Sequence, residues 1–255
     1  MSEKSGGGAY RGHFLEVASL ENLFRAWGEF KKGKEKKFEV QQFTLNLEDH
    51  LFDLHNKLLE GRYQHSSYTS FFLRDPKLRH IHKADILDRI LHHAIVRIYE
   101  PVFEKSFIYD SYSSRKLKGT HRAVRRFRRF AWKLSRNNTR AVWVLQCDIR
   151  KFFDSVDHRI LKMLLSKKIS DPEDLALVFH VIDSFYVKEG KGMPLGNVTS
   201  QLFSNVYLDP FDQFAKRKLR VPHYLRYADD FAVLSCDRSY LGILKHCRGN
   251  TIRKK

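Results

Sequence analysis

The fold of this chain is decided by one stretch of sequence, Tyr224-Leu-Arg-Tyr-Ala-Asp-Asp-Phe-Ala-Val-Leu-Ser235. Aromatic and β-branched residues on both sides of a short polar break predict a β-hairpin that carries the acidic pair at its tip. Adjacent carboxylates at the edge of a hydrophobic sheet are costly to bury unless basic side chains or metal ions compensate their charge. The stretch therefore predicts a sheet that presents Asp229 and Asp230 to a cationic partner.

A third acid follows a second predicted strand. Residues 141–147, Ala-Val-Trp-Val-Leu-Gln-Cys, favour a short buried strand, and Asp148 comes directly after it. Carboxylates that converge from separate strands can hold two Mg²⁺ ions about 4 Å apart, which assist both oxygens of an in-line phosphoryl transfer. We therefore expect Asp148, Asp229 and Asp230 to bind two Mg²⁺ ions, with Mn²⁺ as a second candidate. Taken singly, each acid is also explained by a salt bridge or a turn.

The 255-residue chain carries a large positive charge, because 47 Lys and Arg residues against 29 Asp and Glu give a formal net charge of +18. Such an excess indicates a polyanionic partner, most often nucleic acid. The 42% of hydrophobic residues suffice for a sizeable core. The sequence shows no secretory signal, no apolar run of membrane-spanning length and no Cys-x-x-Cys pair, so we expect a cytoplasmic protein with reduced thiols and no membrane partner.

One segment concentrates the positive charge. Between Arg115 and Arg140 there are eleven Lys and Arg residues and no acid, and an apolar stripe that includes Phe127 and Phe130 runs through the segment. This pattern predicts an amphipathic helix whose outer face contacts a phosphate backbone. A surface that only keeps the protein soluble is the alternative. The candidate nucleic-acid-binding residues are Arg115, Arg122, Arg125, Arg126 and Arg129.

A series of sequence boxes between residues 76 and 234 occurs in the order found in reverse transcriptases. Tyr227-Ala-Asp-Asp230 resembles the YxDD box of these enzymes, and Asp148-Ile-Arg-Lys-Phe-Phe-Asp-Ser-Val156 resembles their motif A. Residues 192–207, Gly-Met-Pro-Leu-Gly-Asn-Val-Thr-Ser-Gln-Leu-Phe-Ser-Asn-Val-Tyr, are similar to motif B. Similarity to the fingers motifs of bacterial members is found at residues 76–81, 88–89 and 111–121.

The resemblance implies a role for each matching acid. Asp148 and Asp229 would hold the two metal ions, and the backbone carbonyl of Ile149 would complete one coordination shell. Asp230 would be the third acid, closer to the primer terminus.

The resemblance also implies a nucleotide-binding set. Lys77 and Arg79 would grip the triphosphate. Phe153 would lie below the sugar and exclude a 2′-hydroxyl, which implies a preference for deoxynucleotides; an ordinary core aromatic is the alternative reading of this residue. Gly196 and Gln201 would line the templating base and the incoming nucleotide.

Motif B indicates a branch of the family. Many bacterial reverse transcriptases have Gln-Gly-x-x-x-Ser-Pro there, whereas this chain has Leu195-Gly-Asn-Val-Thr-Ser-Gln201, which resembles the diversity-generating retroelement branch. The resemblance implies copying of an RNA template into cDNA from a DNA or RNA primer and deoxynucleoside triphosphates. Errors would concentrate at template adenines, and a small basic accessory protein would be a partner. The alternatives are a faithful enzyme of intron, retron or phage-defence type, and a truncated remnant that binds RNA without catalysis.

The resemblance implies an α+β right-hand polymerase fold. We expect a disordered lead at 1–13, fingers at 14–140, a palm with the catalytic acids at 141–240, and a tail at 241–255 in place of a thumb, as in a C-terminally truncated enzyme. The apolar pattern also predicts a helix from about Lys83 to Tyr99 that Pro101 ends.

Overall fold

The computed structural model describes residues 12–75, 77–246 and 252–254. The helices are α1 (Phe14–Ala18), α2 (Leu20–Lys31), α3 (Phe38–Leu45), α4 (Leu47–Leu59), α5 (Ile86–Glu104), α6 (Thr120–Ser135), α7 (Phe152–Ser155), α8 (His158–Ser166), α9 (Pro172–Asp183), α10 (Val198–Gln213) and α11 (Arg238–His246), with a π-helical turn at Phe214–Lys218. The strands are β1 (Thr69–Asp75), β2 (Lys77–Lys83), β3 (Trp143–Ile149), β4 (Tyr224–Tyr227), β5 (Asp230–Ser235) and β6 (Ile252–Lys254). This mixture of helices and strands confirms the predicted α+β class.

Both predicted terminal segments fall partly outside the described residues. The lead expected at 1–13 lies outside them up to residue 11, and the tail expected at 241–255 lies outside them at 247–251 and 255. Helix α11 continues into that tail as far as His246. None of the helices in the described ranges has the length and hydrophobicity that a membrane crossing requires.

The chain divides into two compact units, each built from two separate stretches. The first unit contains the chain up to Lys105 together with Phe153–Phe203, and the second contains Ser106–Phe152 together with the chain from Ser204 onward. The first unit therefore carries α1–α5, the β1–β2 hairpin, α8 and α9, and the second carries α6, α11 and the sheet of β3–β6.

The core of the first unit is formed by helices α2, α4 and α5. The buried positions follow helical spacing, at Leu23, Ala26 and Phe30 on α2, Leu51, Leu54 and Leu58 on α4, and Ile90, Leu91, Ala94 and Ile95 on α5. Asn22 fixes α2 against α5, because its Nδ2 donates to the carbonyl oxygens of Val17 and Ala94 at 3.1 and 3.2 Å. The packing of apolar helix faces therefore supplies most of the stability of this unit.

Helix α5 is longer than the sequence predicts. It continues through Pro101 to Glu104 instead of ending before the proline. A proline inside a helix removes one N–H donor and crowds the preceding turn, at a cost of about 3 kcal/mol. Val102 and Phe103 are buried directly after it, and the burial of side chains of this size offsets most of that cost.

The second unit is built on an antiparallel sheet with the strand order β4-β5-β3-β6. The predicted hairpin forms as β4 and β5, and β3 pairs with β5 from Trp143 opposite Ser235 to Asp148 opposite Asp230. The predicted hairpin and the strand predicted at 141–147 therefore form. The expectation that the second of these strands is buried is wrong, because β3 is buried only at Cys147 and runs on through Asp148 to Ile149.

Both faces of the β5 strand are covered. Phe231 and Val233 pack with Tyr224 on one face, whereas Ala232 and Leu234 pack with Leu225 on the other. Helix α6 covers the second of these faces through an apolar stripe that includes the buried Ala123 and Phe130. Burial on both faces explains why the hairpin sequence is a nearly continuous apolar run.

A buried polar cluster lies in the first unit. The Nδ1 atom of His65 donates to the Ser66 carbonyl oxygen at 2.6 Å, so its Nε2 is the acceptor for the Nε2–H of His92 at 3.2 Å, and the Tyr68 hydroxyl lies at the same distance from it. Asp88 accepts hydrogen bonds from the Tyr63 hydroxyl and the Ser66 N–H at 2.7 and 3.0 Å. Burial, with the nearby charges of His65, His93 and Arg89, holds the pKa of His92 well below its ordinary value.

We expect acid to destabilise this unit through His92. A histidine whose pKa is lowered on folding binds more protons in the unfolded state, so stability present above the unfolded pKa of about 6.5 is lost as pH falls below it. The loss between pH 7.5 and 5.5 should therefore include a contribution from protonation of His92 in the unfolded chain. Urea unfolding at both pH values should show a smaller loss for His92→Gln than for the wild type.

The matched control is His80→Gln, because His80 occupies an exposed position in the same unit. Between pH 7.5 and pH 5.5 this variant should lose as much stability as the wild type loses. Equal losses in the wild type and in His92→Gln would show that the buried pair does not control the acid response.

Candidate active site

Three acids converge at one end of the sheet in the second unit. Asp148 lies near the end of β3 and is paired with Asp230, the first residue of β5, while Asp229 lies in the turn before β5. One carboxylate oxygen from each of the three lies within 4.8 Å of the other two, and all three residues are half-buried. Within the described ranges this is the one group of His, Cys, Asp and Glu side chains with metal-binding spacing.

The donor set of this cluster suits a hard divalent cation. It consists of carboxylate oxygens alone, which are the ligands preferred by Mg²⁺ and Mn²⁺, and it contains no thiolate or imidazole of the kind that favours Zn²⁺. Ile149, the residue with the predicted carbonyl ligand, is the last residue of β3 and follows Asp148 directly. The residues present therefore fit the metal that the sequence predicts.

The acids depend on a strained turn. Ala228 and Asp229 connect β4 to β5, and the pair of Tyr227 with Asp230 closes the turn. Ala228 has a φ of +52°, in the left-handed region, which costs a residue with a side chain about 1 kcal/mol. The hydroxyl of Thr120, at the start of α6, donates to the Tyr227 hydroxyl oxygen at 2.9 Å.

Two buried residues close to this turn were not predicted from the sequence. Arg226 and Asp212 form a fully buried ion pair, with Nη2 of the arginine 2.7 Å from Oδ2 of the aspartate. The sequence contains one indication of this pair. Arg226 is a charged residue within an apolar strand, and such a residue needs a buried partner. The partner is supplied by α10, which the sequence does not connect to the hairpin.

The predicted triphosphate-binding residues lie on the hairpin of the first unit. Lys77 and Arg79 belong to β2, where Arg79 is paired with Leu73 of β1 and is exposed to solvent. The side chain of Lys77 lies outside the described part of the chain. The backbone N–H of His82, at the end of the same strand, donates to the carbonyl oxygen of Leu195 at 3.2 Å and so joins this hairpin to motif B.

Gly196 lies in a closely packed part of motif B. It has a φ of +119°, and a Cβ added to it would lie 3.3 Å from Cγ2 of Ile81. The position therefore requires glycine for its backbone conformation and for close packing. Gln201 is exposed on α10. The neighbouring Asn197 is buried, and neither its Oδ1 nor its Nδ2 has a hydrogen-bond partner among the described residues.

Phe153 is half-buried in α7, and its carbonyl oxygen accepts a hydrogen bond from the Met193 N–H at 2.8 Å. This bond connects motif A to motif B within the first unit. All five predicted nucleotide-binding residues therefore belong to the first unit, and the three acids belong to the second.

The basic helix α6 carries two kinds of arginine. Arg126 is bound to Asp110, with Nε donating to Oδ1 at 2.7 Å, and this hydrogen bond raises the pKa of the guanidinium above its ordinary value. Arg115 precedes the helix and donates to the carbonyl oxygens of Ile108 and Ser111 at 2.7 and 2.8 Å. The exposed arginines are Arg122, Arg125 and Arg129 of the predicted set, together with Arg128. The outer face of α6 thus keeps three of the five predicted contacts exposed.

Comparison with curated proteins gives relatives among bacterial and intron-encoded proteins. The chain is 31% identical over 169 residues to Protein YkfC of Escherichia coli strain K12, a match that covers 63% of this chain and 44% of that protein. It is 27% identical over 144 residues to the group II intron-encoded protein LtrA of Lactococcus lactis subsp. cremoris, covering 54% of this chain and 23% of that protein. The matched part spans less than half of each of these relatives.

Comparison with solved structures shows the fold. A chain of a partial Cas6-RT-Cas1–Cas2 complex is similar with a TM-score of 0.51 and 19% identity, over 92% of this chain and 41% of that chain. The family model described as reverse transcriptase (RNA-dependent DNA polymerase) matches residues 74–251, which is more than half of the chain. The chain therefore belongs to the reverse transcriptase family.

Proposed function

We propose that this chain is an RNA-directed DNA polymerase that synthesises cDNA at the site of Asp148, Asp229 and Asp230. The observation that carries the proposal is the convergence of these three carboxylates within 4.8 Å at one end of the sheet, in a chain of the reverse transcriptase family. Its substrates would be an RNA template, a DNA or RNA primer and deoxynucleoside triphosphates. The primer 3′-hydroxyl would attack the α-phosphate in line, and pyrophosphate would leave.

Each of the three acids would have its own role in the site. Asp148 and Asp229 would hold two Mg²⁺ ions together with the Ile149 carbonyl, and Asp230 would lie closer to the primer terminus. When bound, such ions supply positive charge to the attacking and leaving oxygens. The sheet of the second unit would then serve as the palm of a right-hand polymerase.

The nucleotide would be gripped by residues of the first unit. Lys77 and Arg79 would contact the triphosphate, Phe153 would exclude a 2′-hydroxyl, and Gly196 and Gln201 would line the base. The close packing of Gly196 against Ile81 supports this role, because it brings the predicted nucleotide-contacting segments together. The sequence division into fingers at 14–140 and palm at 141–240 stays a prediction.

Within the reverse transcriptase family, we propose that the chain belongs to the branch of diversity-generating retroelements, with a small basic accessory protein as partner. The motif B residues Leu195-Gly-Asn-Val-Thr-Ser-Gln201 support this proposal. The second candidate is a faithful enzyme of intron mobility, which is favoured by the similarity to the group II intron-encoded protein.

Replacement of Asp229 by Asn should lower the rate of primer extension on an RNA template by about 10²–10³-fold, because one charged ligand of the transition-state complex is lost. RNA affinity should not fall, because the change removes a negative charge. Extension would be followed on a gel and RNA binding by fluorescence anisotropy.

The control for this change is Asp53→Asn, which alters an exposed acid on α4 in the first unit. It should retain wild-type extension. Unchanged extension by Asp229→Asn would overturn the polymerase proposal, and RNA binding by a wild type that extends no primer would favour the non-catalytic remnant.

Neutralising the three predicted arginines that are exposed on α6 should weaken RNA binding and its dependence on salt. The triple variant Arg122→Gln, Arg125→Gln and Arg129→Gln should reduce the slope of log affinity against log salt by about 2, because each phosphate contact on a single strand contributes about 0.7. Binding would be measured between 50 and 300 mM salt, a range over which phosphate contacts dominate the change.

A matched triple variant replaces three exposed lysines between α2 and α3 by Gln and so removes the same charge. These lysines are Lys32, Lys36 and Lys37. It should leave the slope nearly unchanged. Equal changes in the two triple variants would indicate that net charge, and not the α6 surface, controls binding.

The error spectrum separates the two branches. If the retroelement proposal is right, sequencing of cDNA made on an RNA template should show misincorporation concentrated opposite adenine. Replacing every template adenine by guanine should remove these errors. Errors spread evenly over the four template bases would favour the intron-type enzyme.

A further inference from the structure

Arg226 is completely buried, and all five of its N–H donors have partners. Its Nε donates to both carboxylate oxygens of Asp212 at 2.9 Å, and its Nη2 donates to Oδ2 of Asp212 at 2.7 Å and to the Ser111 hydroxyl at 3.0 Å. Its Nη1 donates to Oδ1 of Asn205 at 3.1 Å and to the carbonyl oxygen of Ala228 at 3.0 Å. A guanidinium bound in this way has one orientation.

The main chain of Arg226 is fixed as firmly as its side chain. Its N–H donates to the Asp110 carbonyl oxygen at 2.9 Å, and its own carbonyl oxygen accepts from the Tyr112 N–H at 3.0 Å. The segment around Ser111 therefore holds the outer edge of β4, while β5 holds the other edge. Neither end of the side chain can move without breaking several buried hydrogen bonds.

A hydrogen bond from this network to the acidic turn ends on the strained residue, Ala228. Ala228 has a φ of +52°, and left-handed backbone at a residue other than glycine persists only where the surroundings impose it. The contact from Nη1 of Arg226 to the Ala228 carbonyl oxygen is such a constraint, because it restricts rotation of the peptide that links Ala228 to Asp229.

Asp212 is what keeps Arg226 charged and in place. Burial opposes the positive charge, and the carboxylate of Asp212 raises the pKa of Arg226 above its ordinary value. Asp212 is itself fully buried on α10, and it also accepts a hydrogen bond from the Tyr224 hydroxyl. The ion pair therefore connects α10 to the turn that carries the acids.

We propose that Arg226 is a positioning residue for the metal site, which acts through the Ala228 carbonyl to set the placement of Asp229 and Asp230 relative to Asp148. The proposal rests on the metal-dependent polymerase function proposed above. It assigns the buried pair of Arg226 and Asp212 a role in metal affinity that a purely structural ion pair would not have.

The test is direct binding of Mn²⁺ to the full chain without nucleotide or RNA, followed by the electron paramagnetic resonance signal of free Mn²⁺. Arg226→Lys keeps the positive charge but cannot reach all five partners. It should weaken Mn²⁺ binding about tenfold, as the loss of a group that orients metal ligands does. In primer extension it should raise the Mg²⁺ concentration needed for half-maximal rate by a similar factor.

Tyr224→Phe is the matched control. It removes a hydrogen bond to the same Asp212 carboxylate and leaves the contact between Arg226 and Ala228 in place. Both variants should lower the melting temperature, but only Arg226→Lys should weaken Mn²⁺ binding. Equal Mn²⁺ affinities in the wild type and a folded Arg226→Lys would overturn the proposal.

If Arg226→Lys does not fold, the same titration is made on the double variant Arg226→Gln, Asp212→Asn, which removes both charges together and leaves no unpaired ion. Weakened Mn²⁺ binding would support the proposal, and wild-type affinity would overturn it. Failure of both variants to fold would assign the pair to folding alone and would also overturn it. A wild type that binds Mn²⁺ but extends no primer would contradict the polymerase function and leave this inference standing.

Discussion

The antiparallel pairing of β3 with β5 is the constraint on which the site depends. It places Asp148 directly opposite Asp230, so two acids far apart in sequence meet at one end of the sheet. Phe231 and Val233 of β5 pack on one face of the sheet and the smaller Ala232 packs with Leu234 on the other, so a shift of β5 by one residue would exchange two sets of side chains that fit different surroundings. The hydrophobic core therefore fixes the geometry of the acids, although none of its residues takes part in the chemistry.

Charge is arranged on two scales in this protein. The chain as a whole carries +18, which attracts a polyanion over a long range, whereas the acids form a small local cluster that attracts divalent cations. Two basic residues of the second unit contribute less than their formal charge to the attractive surface, because Arg126 and Lys216 both bind Asp110. Counting basic residues in the sequence therefore overestimates the surface available to nucleic acid.

The parts of the fold that local sequence determines could be predicted. The hairpin, the strand β3 and the basic helix α6 each follow from a short pattern, and the acids converge near strand ends as expected, although β3 includes Asp148. Pro101 could not be placed inside a helix from its own properties, because the packing of Val102 and Phe103 is a tertiary effect.

The buried residues that hold the acidic turn in position could not be predicted from the sequence either. The partners of Arg226 come from α10 and from the segment around Ser111, and no sequence spacing connects those segments to the hairpin. His92 is a similar case, since it is the fold that encloses this residue beside His65.

The discontinuous composition of the two units has a consequence for biosynthesis. Strand β3 leaves the ribosome more than eighty residues before its partner β5, and at about 5–20 residues per second it waits several seconds without that partner. During this time the hydrogen-bonding groups of β3 that later pair with β5 are open to other chains. Yield in a heterologous host should therefore depend on translation speed and on chaperones that protect unpaired strands.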